Sequence, residues 1–229
     1  MSAVAVDSNL NRTARFYQAT IGKKVVMAVT GIILFGFVLA HMLGNLQIYL
    51  GREVLDHYAV SLRQVPALLW GARAVLLLAV VLHIWTAIQL AALKKAARPV
   101  GYVKKDSIIS SYAARTMYWS GPILAAFIVY HLLQFTFGKL TPEFEHLKPY
   151  ENVVAAFSNP LISLVYIVAM VFLCLHLYHG LWSMFQSLGA NHPKYSPLLR
   201  RFAAIFSILI LLGNISIPIS VMLGVVPKP

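Results

Sequence analysis

Acidic residues are scarce in this chain: seven Asp and Glu against 19 Lys and Arg in 229 residues. Charged residues of both signs make up only 11%, where a soluble domain carries about 25%. Cysteine is nearly missing as well. Cys174 stands alone, which excludes a disulfide framework and a cysteine-built metal site. No G-x-G-x-x-G fingerprint occurs, so no flavin or nicotinamide dinucleotide site is expected on this chain. The N-terminus lacks the pattern of a cleaved signal: residues 1–20 are polar, with Arg12 and Arg15, and no cleavage site follows a short apolar core.

What fills the chain instead is hydrocarbon. Hydrophobic residues make up 59% and the mean hydropathy is +0.74. Five apolar runs reach the ~20 residues that a bilayer crossing needs. They lie at about 25–50, 66–93, 116–138, 160–188 and 202–226, within a single transmembrane domain over 1–229. Runs this long and apolar must be helices, because an open strand would leave backbone groups unpaired in lipid. The expected fold is therefore an all-α integral membrane protein of five transmembrane helices. Asn159 and Pro160 fit a helix start and Gly189 a helix end.

Five crossings put the termini on opposite sides, and the basic residues orient them. The N-terminal segment and the 94–115 and 189–201 loops hold 13 of the 19 basic residues, with only Asp7 and Asp106 as acids. The other side, Arg73 included, holds six basic residues and five acids. The first side is read as cytoplasmic, with the N-terminus. Topology accounts for the net charge of +12, so nucleic acid is not an expected partner. The basic face suits an acidic soluble partner or anionic lipid.

Ionisable residues inside a membrane are rare and usually functional. No span contains Asp or Glu, yet four successive spans carry histidine: His41, His83, His131, and the pair His176 and His179. His57, His146 and His192 lie outside the spans. At 1.5 Å per residue, His41 lies about 26 Å and His131 about 24 Å from the cytoplasmic edge. His83 lies about 16 Å, His176 about 20 Å and His179 about 15 Å from it. His41 and His131 thus share one level, while His83 shares a level nearer the cytoplasm with His176 or His179, the latter slightly better matched.

Two histidine pairs from facing helices at two depths suit bis-histidine haem ligation, one imidazole on each face of the iron. Gly31, Gly36, Gly44, Gly121 and Gly180 could leave room for a macrocycle, although glycine also serves plain helix packing. A zinc or copper site would gather its ligands at one depth, often with carboxylate or thiolate. A proton-coupled transporter would place acids midway across. The expected architecture is a haem-binding four-helix core plus a fifth helix.

Three stretches carry a family resemblance: "IGKKVVMAVTGIILFGFVLAHMLGN" (21–45), "SSYAARTMYWSG" (110–121) and "HLYHGLWSMFQSLG" (176–189). In them, and in the order of all five spans, the chain resembles the cytochrome b558 membrane-anchor family of succinate:quinone oxidoreductases, of the single-chain di-haem type. The resemblance implies two haem b groups and a quinone substrate, with menaquinone expected. It implies flavoprotein and iron–sulfur subunits docked on the cytoplasmic face of a bacterial inner membrane, with the succinate and flavin sites on those other chains. Mapped here, it assigns His41 and His131 to the distal haem and His83 and His176 to the proximal one. The family's fourth-helix ligand lies four residues before a glycine followed by an aliphatic and an aromatic residue. That glycine is Gly180, before Leu181 and Trp182, so the resemblance selects His176 and leaves His179 as a supporting group. Some fumarate-reducing relatives carry a glutamate two residues before this ligand. Cys174 stands there, which leans toward succinate oxidation.

Arg115, with Ser111 or Tyr118, is a candidate partner for proximal propionates, and equally a positive-inside anchor. Arg73, ten residues before His83, is a candidate for a distal propionate or a quinone carbonyl. It could also snorkel to the outer surface. Glu53, His57 and Arg63, in "GREVLDHYAVSLR" (51–63) with Asp56, form a titratable group at the distal level. Such a group suits quinone protonation, and equally a solvated loop. The rival reading is a stand-alone di-haem electron carrier of cytochrome b561 type, which would need no soluble partner.

Overall fold

The structure is a computed structural model that describes residues 12–97, 112–141 and 143–227. Among them every regular element is helical. A short helix α1 (Arg12–Gln18) precedes α2 (Thr20–Asn45), which runs on through a 3₁₀ turn, Leu46–Leu50. Next come α3 (Arg52–Ser61), α4 (Pro66–Ala96) and α5 (Tyr112–His131), which continues as a π turn, Leu132–Thr136. The last three are α6 (Pro149–Phe157), α7 (Pro160–Ser187) and α8 (Ser196–Met222). Five of these, α2, α4, α5, α7 and α8, are long and apolar enough to cross a membrane. The chain is built as a multi-pass membrane protein.

Local chemistry sets the boundaries. Proline occupies the first turn of α4, α6, α7 and α8, where its missing N–H costs nothing. Asn159 caps α7, its side chain accepting the Leu161 N–H at 2.9 Å. Gly189 follows α7 at φ +83°, a left-handed position that glycine takes without a Cβ clash. The first span starts earlier than its apolar run implies, at Thr20, and Lys23 lies inside it, buried. The Lys23 amine reaches back to the Tyr17 and Gln18 carbonyls, each at 2.9 Å. It caps the C-terminal end of α1, so its charge is used there.

The stretch 51–63, for which a solvated loop is one expectation, is mostly helix: α3 takes Arg52–Ser61. Leu55 is buried, while Glu53 and His57 face outward. Helices α3 and α6 pack on each other at the end of the bundle opposite the lysines. Asp56 accepts the Tyr150 N–H at 3.2 Å, and Arg52 pairs with Glu151 at 3.1 Å. Beneath this cap lies the largest buried cluster, with Ile48, Leu55, Tyr150, Val154, Phe157, Tyr166 and Ile217.

In the bundle, α2 packs along α4, α7 along α5 and α8, and α2 against α7 and α8. The order α4–α2–α7–α5 results, with α8 behind. Gly213 lets α8 close on α2: a Cβ there would meet the Met42 sulfur at 2.4 Å. By contrast, α2 and α5 make no extensive backbone approach, nor do α4 and α7. Those two separated pairs carry the histidines. Outward faces remain apolar and open, as at Leu77 (67% exposed), Trp119 (72%) and Leu161 (71%), which suits lipid as their solvent.

Candidate functional site

Two histidine pairs bridge the gaps between separated helices. His41 of α2 and His131 of α5 hold their ring centres 5.7 Å apart. His83 of α4 and His176 of α7 hold theirs 6.3 Å apart. A metal–imidazole bond is about 2 Å long, so two imidazoles on opposite faces of one metal place their ring centres roughly 6 Å apart. Both pairs have that spacing.

The neighbouring hydroxyls suit imidazoles protonated on Nδ1. Thr30 donates its hydroxyl to the Val26 carbonyl at 2.8 Å, and its oxygen, 3.0 Å from His83 Nδ1, can accept from that tautomer. Tyr166 donates to Gln134 Oε1 at 2.8 Å, and its oxygen, 3.3 Å from His131 Nδ1, can accept in the same way. A proton on Nδ1 leaves the Nε2 lone pair free for a metal. Ser120, fully buried, lies 3.5 Å from His176 Nδ1. His41 stacks on Phe37 with ring centres 5.3 Å apart.

His176 is therefore the α7 histidine that meets His83. His179, one turn on, is held within its own helix, with Nε2 at 3.1 Å from the Ser183 hydroxyl. The slight depth preference for His179 gives way because helix rotation, and not height alone, decides which ring faces α4.

A Cβ added at Gly36, Gly121 or Gly180 would meet nothing within 4 Å, and one at Gly31 would come 3.6 Å from the His83 ring. The first three border open space. Gly44 does not belong with them, since its missing Cβ makes room for the Tyr58 ring. Gln134 is fully buried, yet its Nε2 has no partner among the described residues, and an orphaned buried donor is costly unless a ligand uses it. Among the described residues no group of three or more His, Cys, Asp or Glu converges to hold a metal ion. Axial haem ligation needs only two imidazoles per iron, so His41 with His131 and His83 with His176 could each hold one haem.

The remaining candidates divide. Glu53 and His57, one turn apart on α3, line an open groove of about 470 Å³ together with Gln47, Val54, Tyr58 and Ser61. Arg63 is not in it; its guanidinium donates to the Ala59 carbonyl. Arg73 is half-buried and stacks on Trp70 at 4.9 Å. Arg115 is exposed at the start of α5. Tyr118 lies under the Lys94 ammonium, 5.3 Å from its ring centre, and Ser111 falls outside the described residues. Behind the groove, burial pushes the Asp56 carboxyl above its usual range, and the Glu151 carboxylate adds to that. The Tyr150 N–H and Arg52 oppose the shift.

Thr30, Ser120, Gln134 and Tyr166 were not among the residues singled out in sequence. All four sit inside apolar spans, and that displacement of polar groups into lipid-facing runs is the signal that marks them.

No family model matches the chain, and no curated protein or solved structure matches it either. The fold and the paired imidazoles define a class on their own: a five-span helical bundle with two cross-helix histidine pairs stacked along its axis.

Proposed function

We propose that the chain is the di-haem cytochrome b membrane anchor of a succinate:quinone oxidoreductase, handing electrons from an iron–sulfur subunit to quinone in the membrane. The observation that carries this reading is the double histidine pairing, 5.7 Å and 6.3 Å between ring centres, across helices that otherwise stay apart. His83 and His176 would hold the proximal haem b, and His41 and His131 the distal one. Haem b, when bound, supplies reversible one-electron transfer across the membrane. The protein's part is to fix imidazole orientation through Thr30, Ser120 and Tyr166 and to keep the pocket apolar.

Orientation follows the charge. The lysine-rich end, with Lys23, Lys94 and Lys95, faces the cytoplasm and receives the flavoprotein and iron–sulfur subunits. At the far end, the groove beside α3 is the place for the quinone headgroup. His57 can donate a proton to a reduced quinone oxygen, and Glu53, one turn away, can restore it from water. Both are exposed, so resupply needs no buried carboxylate path, consistent with Cys174 on α7. Menaquinone is the proposed acceptor, and succinate oxidation the proposed direction.

Purification from membranes tests the reading. A reduced-minus-oxidised spectrum should show b-type bands, with two haems per chain and co-purifying flavin and iron–sulfur subunits. A two-haem protein isolated alone would favour the free-standing electron carrier. A spectrum with no b-type band would remove both.

A further inference from the structure

Tyr166 lies inside an aromatic cage. Its ring centre is 4.9 Å from Phe157, 5.0 Å from Phe127, 5.8 Å from Phe135 and 5.9 Å from Tyr130. The cage keeps water from its hydroxyl, which has two protein partners, His131 Nδ1 and Gln134 Oε1. Gln134 is brought there by the π turn that directly follows His131. One wider turn swings residue 134 inward, and the Thr141 hydroxyl holds its carbonyl. The result is a buried chain: the Tyr166 hydroxyl donates to Gln134, which leaves its oxygen placed to accept from His131 when Nδ1 carries the proton. His83 has a relay that ends on main chain instead: its Nδ1 lies 3.0 Å from the Thr30 hydroxyl, which donates to the Val26 carbonyl at 2.8 Å. Ser120 stands 3.5 Å from His176, and His41 stacks on Phe37.

We infer that Tyr166 and Gln134 are positioning residues that fix the ring and proton of His131 and strengthen its donation to a bound metal, so that the potential of the His41/His131 centre is set separately from that of the His83/His176 centre. The inference rests on the haem reading above. A hydrogen bond accepted from Nδ1–H pushes electron density toward Nε2, and a chain of two such bonds reinforces the effect. A more strongly donating His131 favours the oxidised state of an iron bound to it. The Tyr166–Gln134 chain would therefore lower the potential of a centre bound by His131 without reaching one bound by His83 and His176.

The test uses the full complex, with potentiometric titration of both haem centres in the unaltered protein, Tyr166→Phe, Gln134→Leu and Thr30→Val. Tyr166→Phe should shift the His41/His131 centre toward the reduced state by about tenfold, ~59 mV for one electron. Gln134→Leu should move the same centre in the same direction by less. Thr30→Val should move only the other centre. If both haems are bound in Tyr166→Phe and Gln134→Leu and neither potential moves, or both centres shift equally, the inference falls while the haem reading stands. If the unaltered protein binds no haem, the haem reading itself falls. Should Tyr166→Phe fail to assemble, Gln134→Leu alone decides by the same criteria.

Discussion

The two histidine levels of this bundle are built from different materials. At the level of His41 and His131 the surroundings are aromatic, with Phe37, Phe127, Phe135 and Tyr166 against the two rings. Short helices α3 and α6 close that end over a buried cluster. At the level of His83 and His176, small hydroxyl residues on neighbouring helices, Thr30 and Ser120, contact the rings. One level is fixed by aromatic packing and a chain through the Tyr166 and Gln134 side chains, the other by hydroxyls of neighbouring helices, Thr30 handing its own hydrogen bond to the Val26 carbonyl. The same side chain thus sits in two environments, which is how one chain could give two bound centres different electronic properties.

Several experiments break or sharpen this contrast. The largest effect should come from the rings themselves. His41→Ala and His131→Ala should each cost the same one of two haems, and His83→Ala and His176→Ala the other, read by pyridine haemochrome assay and low-temperature spectra. His179→Ala should keep both. A haem lost in His179→Ala but kept in His176→Ala would reverse the α7 assignment.

The cap comes next. Phe157 is 5% exposed, and truncating a buried phenylalanine costs roughly 3–5 kcal/mol. Phe157→Ala should lower the thermal stability of the purified protein and perturb the His41/His131 spectrum before that of His83/His176. Equal perturbation of both levels would mean that the cap serves the whole bundle. Within the cap, His57→Ala should reduce quinone turnover by about a hundredfold while leaving both haems in place. Unchanged turnover would move the quinone site away from the α3 groove.

The smallest effect concerns Asp56. Its carboxyl is raised above the usual range by burial first and by Glu151 second, so the folded cap binds a proton more readily than the unfolded chain does. That contribution is fully favourable only at acid pH and is lost as pH rises from the ordinary carboxylate value through the raised one. The cap should therefore loosen slightly as pH rises above the ordinary carboxylate value, seen as a falling exchange protection factor at the Tyr150 amide once the intrinsic pH dependence of exchange is divided out. Asp56→Asn keeps an acceptor for the Tyr150 N–H and should flatten that dependence. A slope that persists in the variant would assign it to another group.

Much of this architecture follows from residues read in order. Span number and type come from the length of the apolar runs, because a bilayer leaves helices as the available solution for them. Asn159 and Gly189 mark the ends of α7 through local capping chemistry. The shared level of His41 and His131 is legible too, since rise per residue converts position into depth. Rotation about a helix axis is not set by rise, and so depth alone leaned toward His179. Seating α7 against α5 and α8 turns His176 to His83 and leaves His179 with Ser183. Polar partners such as Thr30, Tyr166 and Gln134 come from other helices or across a π turn, and no local pattern states that they will meet a histidine. Helix α3 shows the same limit, since Leu55 and Tyr58 become a buried face only once α6 and the 3₁₀ turn are beside them. Hydropathy along the chain determined how many helices are long and apolar enough to cross, and rise per residue grouped His41 with His131 on one level, because both act within one chain. Which imidazoles face each other, and what holds their protons, was decided by helix packing, because those contacts join residues distant in the chain.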